Sequence, residues 1–274
     1  MVECKHNEPL LVPELNVLTG KTKKVDFCSF KRSVRTFSSF SHMFPNSIGP
    51  SQLVRLFYWF SQRLQIGQLN EYCGLAPNTG SDCCSVIRRF LTKRVLRQIN
   101  TEKLGDREDT VVCIDETFFT SPKVNVAGFH GRETAGHQKI VLGMYEINRI
   151  TRKGTGRCHL MLIPTNSRAA VEAAIRKHVA VGAEIWTDGA KCYEWIDAPN
   201  SGYTRQFVVH SAGEFVRGEV STNAVEGLFS RVKRFNRIIG VQNICKSNYG
   251  DYLGEFLWRE RNLSATALGV YISI

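Results

Sequence analysis

Residues 110–115, TVVCID, form an apolar, β-branched run that is too short for a helix and ends on an acid, Asp115. Such a run reads as a buried strand. KIVLGMYEI (139–147) and CHLMLIP (158–164) read as two more strands, joined by the turn-rich basic stretch NRITRKGTGR (148–157). SRAAVEAAIRKHVAVG (167–182) places Val171, Ala174, Ile175 and Val179 on one helical face. EIWTD (184–188) is a fourth strand that ends on Asp188 before a glycine, and QFVVH (206–210) is a fifth that ends on His210. TNAVEGLFSRVKRFNR (222–237) is a helix, and YGDYLGEFLWRERN (249–262) is a closing amphipathic one. Three strands in succession, then helix, strand, strand and helix, predict a mixed α/β sheet rather than a doubly wound parallel one.

Upstream of the strands the chain reads as helical. SQLVRLFYWFSQRL (51–64) gathers Leu53, Leu56, Phe57 and Phe60 on one face. IGQLNEYCGLAPNTGSDCCSVIRRFL (66–91) predicts a short helix, a turn at Gly74–Pro77 and a second helix, the outline of a helix-turn-helix. In that reading Asn78, Thr79, Ser81 and Asp82 open the recognition helix, and Arg88, Arg89, Lys93 and Arg94 meet phosphates at its far end. The polar run NTEKLGDRED (100–109) is the expected boundary, giving a helical region over 51–105 and the α/β domain over 110–265. Residues 1–50 mix Lys21, Lys23, Lys24, Lys31, Arg32 and Arg35 with Phe27, Phe30, Phe37 and Phe40. That mixture suits a lead-in lying on DNA, or equally phenylalanines packing on the next helices. Cys4, His6, Cys28 and His42 match no standard zinc spacing.

The 274 residues are 43% hydrophobic and 22% charged, the composition of a folded globular chain rather than a disordered one. A formal charge of +11 points to an anionic partner, with nucleic acid the commonest. Nine cysteines, scattered and without a CxxC pair, suit reduced, buried thiols better than a disulfide framework. The first residues, MVECKHNEPL, lack a secretory pattern, and no apolar run reaches the length of a membrane span. The expectation is an intracellular protein without a membrane partner, nuclear in a eukaryotic host and otherwise cytoplasmic.

The chemistry gathers around 222–237. Val225, Leu228, Val232 and Phe235 make an apolar stripe, and Glu226, Ser230, Lys233 and Arg237 make a polar one beside it. No acid occurs between Glu226 and Asp251, whereas Arg231, Lys233, Arg234, Arg237 and Lys246 crowd that interval. Asn223 with Glu226 three residues on also matches a capping box, which would make Glu226 a helix-start residue. Asp115 and Asp188 decide between the two. If the first and fourth strands are neighbours, both aspartates meet at one edge facing this helix. Three bare carboxylates so placed would raise one another's pKa values, and a divalent cation resolves the repulsion. All-oxygen ligation selects Mg²⁺ or Mn²⁺. Glu116 is expected to point to the other side of its strand. His210 suits either substrate orientation or a structural hydrogen bond.

VVCIDET, IWTDG, VVHSAGEF and TNAVEGLFSRVKR, in this order, resemble the core of DDE transposases of the Merlin type and related bacterial insertion-sequence transposases, which carry an ISXO2-like transposase domain. The resemblance spans roughly 110–262. It implies an RNase H-like fold in which Asp115, Asp188 and Glu226 bind the catalytic metals. It also implies cleavage at the ends of a transposable element and joining of the freed 3′-hydroxyl to target DNA. Lys233, on the same helix face as Glu226, matches the family's basic residue, and Arg231, Arg234 and Arg237 are expected beside it on DNA. Bridging two DNA ends implies at least a dimer. Members commonly carry His and Trp where this chain has Ser221 and Phe229, and zinc-binding cysteines where it keeps lone Cys4 and Cys28. Some relatives use Asn in the third position, which makes Asn223 a rival of Glu226. Two alternatives follow: a domesticated, non-catalytic DNA-binding protein, and an RNase H-like nuclease without strand transfer.

Overall fold

A computed structural model describes residues 14–15, 22–23, 44, 48–120, 138–208, 220–241 and 248–262. The chain forms two compact units, Met1–Ser47 and Ile48–Ile274. In the first, Glu14–Leu15 pairs antiparallel with Thr22–Lys23. Cys4, His6, Cys28 and His42 lie outside the described residues, as does His210.

The second unit holds a five-stranded sheet built from β1 (Thr110–Thr120), β2 (Gln138–Asn148), β3 (Gly154–Ile163), β4 (Glu184–Asp188) and β5 (Thr204–Val208). Its order is β3-β2-β1-β4-β5. β1 pairs antiparallel with β2, and β2 with β3, whereas β4 runs parallel to β1 and β5 parallel to β4. The mixed sheet expected from the strand pattern is therefore the observed one. β3 begins at Gly154, inside the stretch read as a connector. The reversal is tighter than its length suggested because the Asn148 side chain accepts the Ile150 and Thr151 N–H groups.

Side-chain alternation gives the sheet two apolar faces. On one, Val112, Ile114, Leu142, Met144 and Ile185 pack with helix α4 (Arg168–His178) and with a 3-10 helix, Lys191–Asp197, that the sequence pattern did not reveal. On the other lies α5 (Asn223–Ile238), with Val225, Leu228 and Val232 fully buried. Each such side chain contributes about 1.5–3 kcal/mol. α5 reaches the sheet at Gly143. A Cβ there would stand 2.6 Å from the Phe229 ring and 3.0 Å from Val225.

Three N-terminal helices, α1 (Pro50–Ser61), α2 (Ile66–Cys73) and α3 (Pro77–Thr101), belong to this same unit together with α6 (Tyr249–Arg261). α2 ends on Gly74 in the left-handed conformation, the turn read from the sequence. α3 runs 25 residues, too long for a bare recognition helix, and its middle is committed inward. Arg88, expected on a phosphate, is 4% exposed and donates to Glu255 of α6 at 2.8 Å. Glu255 also accepts from Arg259, whose guanidinium donates to the carbonyls of Phe60 and Ser61. Removing one member of such a buried set costs about 3–5 kcal/mol, because the remaining charge is left unpaired in the interior. Among the described residues no helix is long and apolar enough to cross a membrane.

His159 of β3 and His178 of α4 form a second buried pair, ring centroids 5.0 Å apart, 1% and 5% exposed. Burial pushes His159 down to about 2 and His178 down to about 4, with His178 and Lys177 respectively adding to the effect.

Two predictions follow from this packing. Gly143→Val should destabilise the fold by about 1–3 kcal/mol, the usual range for overpacking, measured by urea denaturation. The histidine pair makes stability depend on acid. Both native pKa values lie below the unfolded one, so the contribution is complete above about pH 6.5 and is lost as pH falls. Between pH 6.5 and 5 the loss should be about 1–2 kcal/mol per histidine, and His159→Phe should flatten the stability profile over that interval.

Candidate active site

The register of β1 on β4 pairs Val111 with Glu184, Val112 with Ile185 and Cys113 with Trp186. Continued by two residues, it sets Asp115 level with Asp188. Alternation puts both aspartates on one face, that of Cys113 and Trp186. Asp115 also stands opposite Gly143 of β2, the residue against which Phe229 and Val225 of α5 are seated. The two aspartates therefore share the α5 side of the sheet. Glu116, the next residue, faces the other side, where its carboxylate accepts a 2.5 Å hydrogen bond from the buried Tyr193 hydroxyl.

Each acid is held locally. Asp115 Oδ1 accepts the Glu116 N–H at 2.8 Å, and Asp188 Oδ1 accepts the Ala190 N–H at 3.0 Å. Glu226, exposed on the first turns of α5, accepts the Thr222 hydroxyl at 3.1 Å. Burial pushes the Asp115 carboxyl up to about 7, and the charges of Asp188, Glu116 and Glu226 push in the same direction. Glu116 is raised as well, first by burial and then by Asp188, with the Tyr193 hydrogen bond opposing. Asp188 and Glu226 thus each lie near enough to Asp115 for their charges to act on it. Among the described residues no three His, Cys, Asp or Glu side chains close to metal-ligating distances.

The capping-box reading of Asn223 and Glu226 is overturned. The cap position falls on Thr222, Asn223 is the first helical residue, and no side chain caps the helix. The box fails because Glu226 then sits one residue too deep for it, and its carboxylate takes the Thr222 hydroxyl instead. Asn223 is exposed at the helix start.

The four cations of α5 separate into two groups. Lys233, Arg234 and Arg237 are exposed. The Lys233 ammonium lies 5.9 Å from the Phe119 ring, and Phe119 shares the Asp115 face of β1. Arg231 instead pairs with Glu260 of α6 at 2.8 Å and lies 5.4 Å from the Tyr145 ring centroid, fastening α5 to α6. Gly143, Tyr193 and Thr187 support the site and were not singled out from sequence. Only Gly143 had a signal, a lone glycine inside an apolar strand.

The sequence model of the ISXO2-like transposase domain matches residues 107–261. The chain belongs to that family. Its region of match opens just before β1 and closes at the end of α6. A curated relative, the uncharacterized protein in transposable element ISH50 of Halobacterium salinarum, is 32% identical over 111 residues, 39% of this chain and 35% of that one. The match thus spans about a third of the curated relative. Among solved structures the chain is similar to the catalytic core domain of BIV integrase, with TM-score 0.30 and 13% identity over 59% of this chain and 93% of that one. It is also similar to the Mos1 strand transfer complex, with TM-score 0.25 and 12% identity over 89% and 86%. The fold is RNase H-like, a five-stranded mixed sheet with helices on both faces.

The crowded acids make a prediction about stability. The native pKa of Asp115 lies above its unfolded value of about 3.8, so the group costs stability as pH rises from there through about 7. In metal-free buffer at pH 8, Asp115→Asn should therefore raise unfolding stability by about 2 kcal/mol. That gain should disappear near pH 4, where the wild-type carboxyl is protonated in the native state.

Proposed function

We propose that this chain is a DNA transposase whose active site is Asp115, Asp188 and Glu226. It would cleave a phosphodiester at an element end and join the freed 3′-hydroxyl to target DNA. The observation that carries this is the level placement of Asp115 and Asp188 on adjacent parallel strands, on the face that α5 covers, with Glu226 near enough to raise the Asp115 carboxyl. The donor set is all oxygen and its mutual repulsion is what a hard divalent cation relieves, so Asp115, Asp188 and Glu226 are the residues that would hold Mg²⁺ or Mn²⁺. When bound, such ions supply activation of the attacking hydroxyl and stabilisation of the departing oxygen.

The chain's own residues do the rest. Asp115 and Asp188, pinned by the backbone N–H groups of Glu116 and Ala190, present their carboxylates in fixed directions. Glu226 sits on a helix and takes the third position in preference to Asn223, since a carboxylate binds a cation better than an amide does. Lys233, Arg234 and Arg237 offer exposed cations on the helix that carries Glu226 and would meet backbone phosphates, which makes binding steeply dependent on salt. Arg231, paired with Glu260, serves the docking of α5 first. DNA is the partner, and handling two element ends would require at least a dimer. The protein would work inside the cell, in the compartment that holds its DNA.

A second reading has its own observation. The hydrogen bond of Glu226 to Thr222 turns the third acid towards its own helix start, as suits a domesticated protein that binds DNA without cutting it. Cleavage of a supercoiled plasmid carrying the flanking repeats separates the two. With Mg²⁺ or Mn²⁺ the wild-type chain should nick it, and Asp188→Asn should reduce nicking at least about a hundredfold while remaining folded. Nicking that survives in Asp188→Asn sinks the assignment of the site. Binding without nicking in either protein establishes the non-catalytic reading, and nicking without end joining an RNase H-like nuclease.

A further inference from the structure

Arg205 lies on β5, the edge strand beside β4, yet its side chain is only 2% exposed. Each arm of its guanidinium is used. Nε donates to Thr187 Oγ1 at 2.9 Å, Nη1 to Asp197 Oδ2 at 2.7 Å and Nη2 to the Asp188 carbonyl at 3.0 Å. The plane is backed by the Phe207 ring, 4.5 Å away. Thr187 completes the arrangement by donating its own hydroxyl to the same Asp188 carbonyl at 2.7 Å.

The direction of this clamp matters. Arg205 pairs in register with Ile185, on the face opposite to the Asp188 carboxylate, and its side chain runs along β4 to the strand's last peptide. Asp188 is thus gripped from beneath through its carbonyl and from the following turn through Ala190 N–H, while its carboxylate projects to the other face. A salt bridge to Asp197 alone would occupy one arm of the guanidinium; the other two are directed at Thr187 and Asp188. Burying a guanidinium is costly unless its donors are met, and here two of the acceptors that meet them, Thr187 Oγ1 and the Asp188 carbonyl, belong to the strand end that carries a carboxylate of the proposed site.

The geometry points to Arg205 as a positioning residue for Asp188, tuning the affinity of the carboxylate site for its divalent cation without touching DNA or the reacting atoms. This rests on the metal-binding reading of that site. Arg205 holds the end of β4 against the repulsion among Asp115, Glu116 and Asp188, and its positive charge lies under the same strand end. Residues that orient metal ligands from behind typically change affinity about 10–100-fold when lost.

The test is Mn²⁺ binding to the full chain, followed by electron paramagnetic resonance of the free ion, in wild type, Arg205→Met, Arg205→Lys, Asp197→Asn and Asp188→Asn. Arg205→Met should weaken Mn²⁺ binding about 10–100-fold. Arg205→Lys, which can still reach one of the two acceptors on β4, should recover part of that loss. Asp197→Asn should stay close to wild type, because the arms to Thr187 and Asp188 remain. Nicking should show the same split, with more Mn²⁺ needed for half-maximal rate and a smaller fall at saturation. Unchanged Mn²⁺ affinity in Arg205→Met, or in Arg205→Lys should the methionine variant fail to fold, overturns the inference and leaves Arg205 a salt bridge of the sheet edge. Absence of any saturable Mn²⁺ binding that Asp188→Asn removes instead overturns the metal-site reading itself.

Discussion

The parallel pairing of β1 with β4 is the constraint on which the structure turns. It brings Asp115 and Asp188, far apart in the chain, to the same level of one sheet face. Burial pushes the Asp115 carboxyl up to about 7, and the charge of Asp188 so placed adds to the cost. A sheet tolerates this only if the strand ends cannot move apart. The crossover from β3 to β4 through α4 covers the opposite face with Val171, Ala174 and Ile175, and Arg205 with Thr187 ties down the last peptide of β4. Stability is given up at the acids and recovered in the packing beneath them.

The helical segment 50–101 is tied into the same unit by buried charge. Arg88, Glu255 and Arg259 lock α3, α6 and the end of α1 together, so α6 reads both as the last element of the transposase domain and as the seat of α3. A comparable network lies just past the C-terminal end of α3, where Arg157 of β3 donates to Asp106 and to the fully buried Glu146. Buried pairs of this kind add little net stability, but losing one partner is costly, which favours a single arrangement of helices against the sheet. Arg231 acts alike on α5, spending on Glu260 a cation that the sequence pattern had assigned to DNA.

Much of this was legible in the sequence because strand ends and helix stripes are local features. TVVCID and EIWTD each end on an aspartate, and alternation alone put Glu116 on the other side, where Tyr193 holds it. The apolar stripe Val225, Leu228, Val232, Phe235 is the buried face of α5. What failed was non-local. Nothing in RRFL marks Arg88 as buried, since its partner Glu255 lies 167 residues away. Arg205 has no local signal either, because its acceptors come from β4 and the 3-10 helix. The cap was misplaced by one residue: Asn223 and Thr222 are both acceptable cap residues, and only the backbone decides between them.

Asp115, Asp188 and Glu226 are proposed to act together on a divalent cation. Anomalous diffraction from crystals of the full chain grown with Mn²⁺ tests it most directly. Mn²⁺ is expected on the sheet face that carries Asp115 and Asp188, with Glu226 released from Thr222. Manganese absent from that face, with Glu226 still on the Thr222 hydroxyl, would contradict it.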